Sequence, residues 1–229
     1  MIMHKVAIPR KIIESCLRFR GRLHAFESLE PARTALIVID MQNAWVEPGV
    51  SPLEIPTTRE ITDNINRLAA AVRAAGGIVA WTQSVFPADV TRRAYERFGQ
   101  PEWCERIVAD TQIGAYGHEI SRRMDVRTED LRVVKYRPSA FIQGSSDLEA
   151  HLRARGRDTL IITGTLTNAC CESSARDAAA LGFENIMVSD AMATRTDEEH
   201  NATLANVIQL VADVMTTEEV LALLAPHLP

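Results

Sequence analysis

Only four of the 229 residues are cysteine, and their spacing is not that of a zinc site. Cys16 and Cys104 stand alone, while Cys170 and Cys171 are neighbours that cannot readily bridge each other in a helix. All four therefore read as reduced thiols. No stretch approaches the roughly 20 apolar residues of a membrane span. The first 30 residues also lack the apolar core of a signal peptide, so the expected location is cytoplasmic. Positive charge is not in excess: 25 Lys and Arg against 30 Asp and Glu leave a net charge of -5, which gives no electrostatic reason to expect nucleic acid. Arg10, Lys11, Arg18, Arg20 and Arg22 form a local cluster, of the kind that contacts solvent or a neighbouring subunit. There is no internal repeat and no low-complexity tract.

What is present suits one large soluble domain, with 46% hydrophobic and 24% charged residues. Six short apolar runs recur at 35-39, 78-82, 131-135, 158-163, 185-189 and 213-215. Runs such as Leu36-Ile37-Val38-Ile39 are apolar on both faces, which fits parallel strands covered by helices on either side. Helical patterns between most of them predict a doubly wound α/β fold. Ile61, Ile65, Leu68, Ala69 and Val72 make one helical stripe that Gly76-Gly77 ends. Ser146 with Glu149, Thr196 with Glu199 and Thr216 with Glu219 each have capping-box spacing. An alanine-rich helix is predicted from Cys170 to Leu181, closed by Gly182. Residues 1-34 read as an arm packed on the body or on another subunit, ahead of a domain over 35-229. Within that domain, 84-128 is a polar insertion, a candidate lid or subunit contact.

Cys170 stands where a buried run ends in a glycine turn and a helix begins. A helix N-terminus favours the thiolate, so an easily ionised thiol is expected there. The 35-39 strand delivers Asp40 and the 131-135 strand delivers Lys135, each at the strand's end, where open α/β sheets bind their ligands. Taken singly, Asp40 could cap a turn, Lys135 could be a solvated strand end and a cysteine is most often a small apolar core residue. Cys16, Cys104 and Cys171 take that last reading.

The run Gly164-Thr165-Leu166-Thr167-Asn168-Ala169-Cys170-Cys171-Glu172-Ser173-Ser174-Ala175-Arg176-Asp177-Ala178 resembles the nucleophile motif of the isochorismatase-like cysteine hydrolases. Leu36-Ile37-Val38-Ile39-Asp40-Met41-Gln42-Asn43 and Lys135-Tyr136-Arg137-Pro138-Ser139-Ala140-Phe141 resemble two further motifs of that family, in the same order. The resemblance spans roughly residues 33-220. It implies a three-layer α/β/α doubly wound fold with a six-stranded parallel sheet, and a catalytic triad of Asp40, Lys135 and Cys170. It also implies a cis peptide between Thr165 and Leu166, with the N-H groups of Leu166 and Cys170 as oxyanion hole. Trp81-Thr82-Gln83 and Lys135-Tyr136-Arg137-Pro138-Ser139 look most like the ureidoacrylate and N-carbamoyl amidohydrolases.

The expected activity is thus hydrolysis of a C-N bond in a small amide, ureido or carbamoyl compound through a thioester. The alternatives are an isochorismate-type vinyl ether hydrolase and a non-catalytic binding protein of the same fold. Asn43, Trp45, Gln83, Arg137 and Phe141, with Gln42, lie close in sequence to the strand ends and are candidates to line the pocket. Gln83 would hydrogen-bond the substrate and Trp45 would offer a flat wall or pack under a loop. His118 and His200 read as solvent-facing or structural. Residues 41-83 contain no histidine, whereas the nicotinamidase branch of the family holds a metal through histidines there, so neither metal nor cofactor is expected. A homodimer or homotetramer is the expected assembly.

Overall fold

All six residues of the first strand, β1 (Thr34–Ile39), are buried, because helices cover both of its faces. Leu36 and Val38 point into one hydrophobic cluster, and Ala35, Ile37 and Ile39 into the other. The computed structural model describes residues 3-86 and 92-228; positions 87-91 of the 84-128 segment lie outside them. The strands β2 (Ile78–Ser84), β3 (Leu131–Lys135), β4 (Thr159–Thr165), β5 (Glu184–Ala193) and β6 (Asp213–Met215) join β1 in one parallel sheet of order β3-β2-β1-β4-β5-β6. The chain winds outward from β1 to β3, then returns to place β4 on the other side of β1. That makes the β1/β4 seam the topological switch point.

Helices are α1 (Arg10–Arg20), α2 (Asn43–Val46), α3 (Thr62–Ala74), α4 (Arg92–Phe98), α5 (Pro101–Thr111), α6 (Leu148–Ala154), α7 (Glu172–Ala180), α8 (Asp197–Leu210) and α9 (Thr217–Leu224). Residues of α2, α3, α5 and α9 fill the cluster on one face of the sheet, and residues of α6, α7 and α8 the cluster on the other. This is the three-layer α/β/α arrangement that the resemblance implied.

The segment before β1 contains a helix that no cap announced. Ile12, Ile13 and Cys16 of α1 pack on the second cluster, and Cys16 Sγ donates to the Ile208 carbonyl of α8 at 3.7 Å. The polar 84-128 insertion likewise carries α4 and α5. Of the expected caps, Thr216 and Glu219 form a reciprocal box, and Thr196 Oγ1 accepts the Glu199 N-H at 3.1 Å. Ser146 departs from its expected role: its Oγ accepts from Leu148 N-H at 3.2 Å and donates to the Ala140 carbonyl at 2.7 Å, so no box with Glu149 forms.

The helix expected from Cys170 is also different. Thr167–Cys171 form a π-helical turn, closed by the Cys171 N-H donating to the Leu166 carbonyl at 3.1 Å, and α7 starts at Glu172. Such turns widen a helix locally and are frequent at functional sites. Gly164, at φ 106°, precedes this turn where β4 passes β1 so closely that a Cβ would overlap the Ile39 backbone. Only glycine fits there.

Candidate active site

The switch point gathers three charged or reactive side chains. Asp40 leaves β1 at φ 52°, a left-handed conformation that aspartate tolerates better than most residues. Thr82 of β2 fixes it there: its Oγ accepts from the Asp40 N-H at 3.3 Å and donates to Oδ1 at 2.9 Å. Lys135 ends β3, two strands away in the sheet, and its side chain crosses over β2 to bring Nζ within 2.8 Å of Asp40 Oδ2. The same ammonium donates to Ser84 Oγ at 3.3 Å, to the Arg137 carbonyl at 3.1 Å and to Cys170 Sγ at 3.4 Å. Asp40 and Lys135 are both completely buried, so each charge depends on the other. The Asp40 carboxylate is within hydrogen-bond reach of both the Lys135 ammonium and the Cys170 thiol.

Burial works against the Lys135 ammonium, but Asp40 and then Cys170 hold it protonated well above its ordinary range. Burial also dominates the thiol. Although Lys135 favours the thiolate, desolvation and the Asp40 carboxylate push Cys170 up to about 12. The expectation of an easily ionised thiol is therefore corrected: its surroundings raise the thiol, with a carboxylate and an ammonium beside it. Cys171 turns the other way, fully buried with Sγ donating to the Thr163 carbonyl at 3.8 Å.

Asp40, Lys135 and Cys170 thus come together, while the five candidate pocket residues are placed otherwise. Gln83 has the strand parity of Trp81, which belongs to the first cluster, whereas Thr82 and Ser84 face the triad. Its amide donates to the His118 carbonyl at 2.9 Å, and it lines a separate cleft of about 330 Å³ with Glu119, Arg122 and Arg132. Trp45 is 3% exposed and stacks on Phe86 at 6.2 Å, which is the packing alternative. Asn43 is buried and donates to the Tyr116 carbonyl at 2.9 Å. Phe141 packs on Phe183 with ring centroids 5.5 Å apart in the second cluster. Arg137 touches the triad through its main-chain carbonyl, and its guanidinium turns back to the Tyr136 carbonyl.

Gln42 does more than its sequence position indicated. Its amide nitrogen donates to the Ser84 and His118 carbonyls at 3.2 and 3.0 Å, and its oxygen accepts the Ser84 N-H at 2.6 Å, clamping the β1 and β2 ends beneath Lys135. His118 and His200 are buried rather than solvent-facing. Thr82 and Ser84 were missed; with Trp81 read as a core residue, strand alternation puts them together on the opposite face. The Thr165-Leu166 peptide is cis, as the resemblance implied.

A doubly wound α/β protein with a buried Asp-Lys pair beside a partly exposed cysteine at its switch point is built like a cysteine hydrolase. Residues 34-219 match the Isochorismatase domain, and the chain belongs to the isochorismatase family of hydrolases. It is 33% identical over 215 residues to the ureidoacrylate amidohydrolase RutB of Methylobacterium radiotolerans, covering 85% of this chain and 81% of that protein. It is 31% identical over 191 residues to YwoC, an uncharacterized isochorismatase family protein of Bacillus subtilis, covering 82% of this chain and 93% of that one. Among solved structures, a cysteine hydrolase from Pseudomonas syringae pv. phaseolicola superposes with a TM-score of 0.79 at 27% identity, covering 91% of this chain and all of that one. No helix among the described residues is long and apolar enough to cross a membrane.

Proposed function

We propose that the protein is a cysteine-dependent amidohydrolase that cleaves the C-N bond of a small amide, ureido or carbamoyl compound. The observation that carries this reading is the Lys135 ammonium lying 2.8 Å from Asp40 and 3.4 Å from Cys170 Sγ. The likeness to ureidoacrylate amidohydrolases supports the substrate class.

In this reaction Asp40 takes the thiol proton as Sγ bonds to the carbonyl carbon, so the thiolate forms only as it attacks. Lys135 stabilises the sulfur during transfer and keeps the carboxylate in place. The carbonyl oxygen becomes an oxyanion held by the Leu166 and Cys170 N-H groups. Asp40 returns the proton to nitrogen, the C-N bond breaks and an amine or ammonia leaves. The thioester on Cys170 is then opened by a water that gives its proton to Asp40; the C-S bond breaks and Asp40 reprotonates the sulfur. The arm and the 84-128 segment, where Phe98 and Ile113 are exposed, are the surfaces on which a homodimer or homotetramer would form.

The test is a panel of N-carbamoyl compounds, primary amides and isochorismate, read for ammonia or amine and for pyruvate. Nitrogen release from the first two is the expected result. Pyruvate from isochorismate with no nitrogen release from the amides would replace this reading with vinyl ether hydrolysis.

A further inference from the structure

Nothing in the triad's own contacts explains why the N-terminal arm carries an anchored histidine. The arm lies along α8, with Ala7 N-H donating to Asn201 Oδ1 at 2.6 Å and Asn201 Nδ2 donating to the Lys5 carbonyl at 2.9 Å. Lys5, Val6 and Ala7 are exposed, yet the His4 side chain is only 4% exposed. It is inserted between α8 and the end of β5: Nδ1 lies 2.8 Å from Asp197 Oδ1, and Nε2 accepts the Thr194 N-H at 3.0 Å.

From His4 two routes reach the nucleophile turn. Thr194 Oγ1 donates to Asn168 Oδ1 at 2.6 Å. The His4 ring stacks on His200 at 4.6 Å, and His200 Nδ1 lies 2.9 Å from Thr167 Oγ1. Thr167 and Asn168 open the π-helical turn that carries Cys170. His200 is fully buried, held at Nδ1 by the Thr167 hydroxyl and set beside the Ser189 backbone. Burial, and then the nearby His4, push His200 down to about 4, which keeps that ring neutral at ordinary pH.

We propose that His4 is a positioning residue for Cys170, through which the N-terminal arm holds the nucleophile turn in place via Thr194 to Asn168 and via His200 to Thr167. His4, Thr194 and His200 make none of the contacts described for the reacting atoms. Their effect is on alignment, to which covalent catalysis is sensitive because small displacements of the nucleophile cost rate.

The experiment uses the full-length protein and two substitutions that divide the roles of His4. His4→Phe keeps the stacked ring and loses the acceptor for Thr194; His4→Gln loses the ring and keeps an acceptor. His4→Phe is expected to lower kcat about fivefold with KM within about twofold, and to slow iodoacetamide alkylation of Cys170 by a similar factor. His4→Gln, which keeps the Thr194 route and loses the His200 route, is expected to recover part of both rates. Thr194→Val, which cuts the link to Asn168, should give the same losses, and the double variant His4→Phe/Thr194→Val should be no worse than either single one.

Unchanged kcat and alkylation in His4→Phe would overturn the proposal, as would losses that multiply in the double variant. If His4→Phe does not fold, His4→Ala, which removes both the ring and the acceptor, takes its place and is read by the same two rates. The kcat measurement rests on the amidohydrolase reading and the alkylation measurement does not. A wild-type protein inactive on every amide would therefore sink that reading and leave this proposal to the alkylation rates.

Discussion

Replacing Cys170 by serine is expected to abolish C-N hydrolysis, with kcat falling by about 10⁴-fold or more, the scale seen when an enzymatic nucleophile is removed. The replacement is nearly isosteric, so the Lys135–Asp40 pair keeps its geometry. A serine hydroxyl, however, is far harder to ionise than a thiol in the same setting. The neighbouring Cys171 provides the control. Its sulfur is turned into the core towards Thr163, so Cys171→Ala should retain most turnover and lose some stability, about 1 kcal/mol for the small cavity left. Steady-state kinetics of the two variants on one amide substrate check both statements. Activity that survives in Cys170→Ser and vanishes in Cys171→Ala would place the nucleophile one residue later.

Asp40→Asn is expected to have opposite effects on turnover and on thiol ionisation. Loss of the general base, and of the acid that protonates the leaving nitrogen, should lower kcat by about 10²–10⁴-fold. The carboxylate also raises the Cys170 pKa, so its neutralisation should let the thiolate form at lower pH. The buried Lys135 ammonium, deprived of Asp40, then has the thiolate as its remaining counter-ion. The pH profile of iodoacetamide alkylation should accordingly shift to lower pH in Asp40→Asn while amide turnover collapses. A carboxylate that merely oriented Lys135 would give no such divergence; turnover and alkylation would fall together.

Much of this architecture was legible in the chain because the forces that set it are local. Each apolar run became a strand, since fully apolar segments such as 36-39 have nowhere to go but the middle of a layered sheet. The meeting of Asp40, Lys135 and Cys170 was legible because each closes or follows a strand end, and parallel strands put their ends on one edge. Other features depended on tertiary context. The π-helical turn at Thr167–Cys171 carries no propensity signal. Ser146 has the spacing of a cap, but the Ala140 carbonyl competes for its hydroxyl. Helix-terminus reasoning favoured an ionised Cys170, but the residue sits in the π-helical turn ahead of α7, where desolvation and the Asp40 carboxylate act the other way. Nearness in sequence to a strand end was a poor guide to pocket residues. Trp45 and Phe141 went to the two core clusters, and Gln83 fell on the wrong parity, where Thr82 and Ser84 fill the role of supporting the triad. The contribution of His4 could not be read from sequence at all, since its partners Asp197 and Thr194 are distant in the chain.

The central claim is that the reaction passes through a covalent bond to Cys170. The direct measurement is intact-protein and peptide mass spectrometry of the enzyme quenched in acid during turnover of an amide or N-carbamoyl substrate. The account predicts a mass increase equal to the acyl or carbamoyl group on the peptide containing Cys170, removed by hydroxylamine and absent from Cys170→Ser. Full turnover by Cys170→Ser, or the adduct on any other residue, would contradict it.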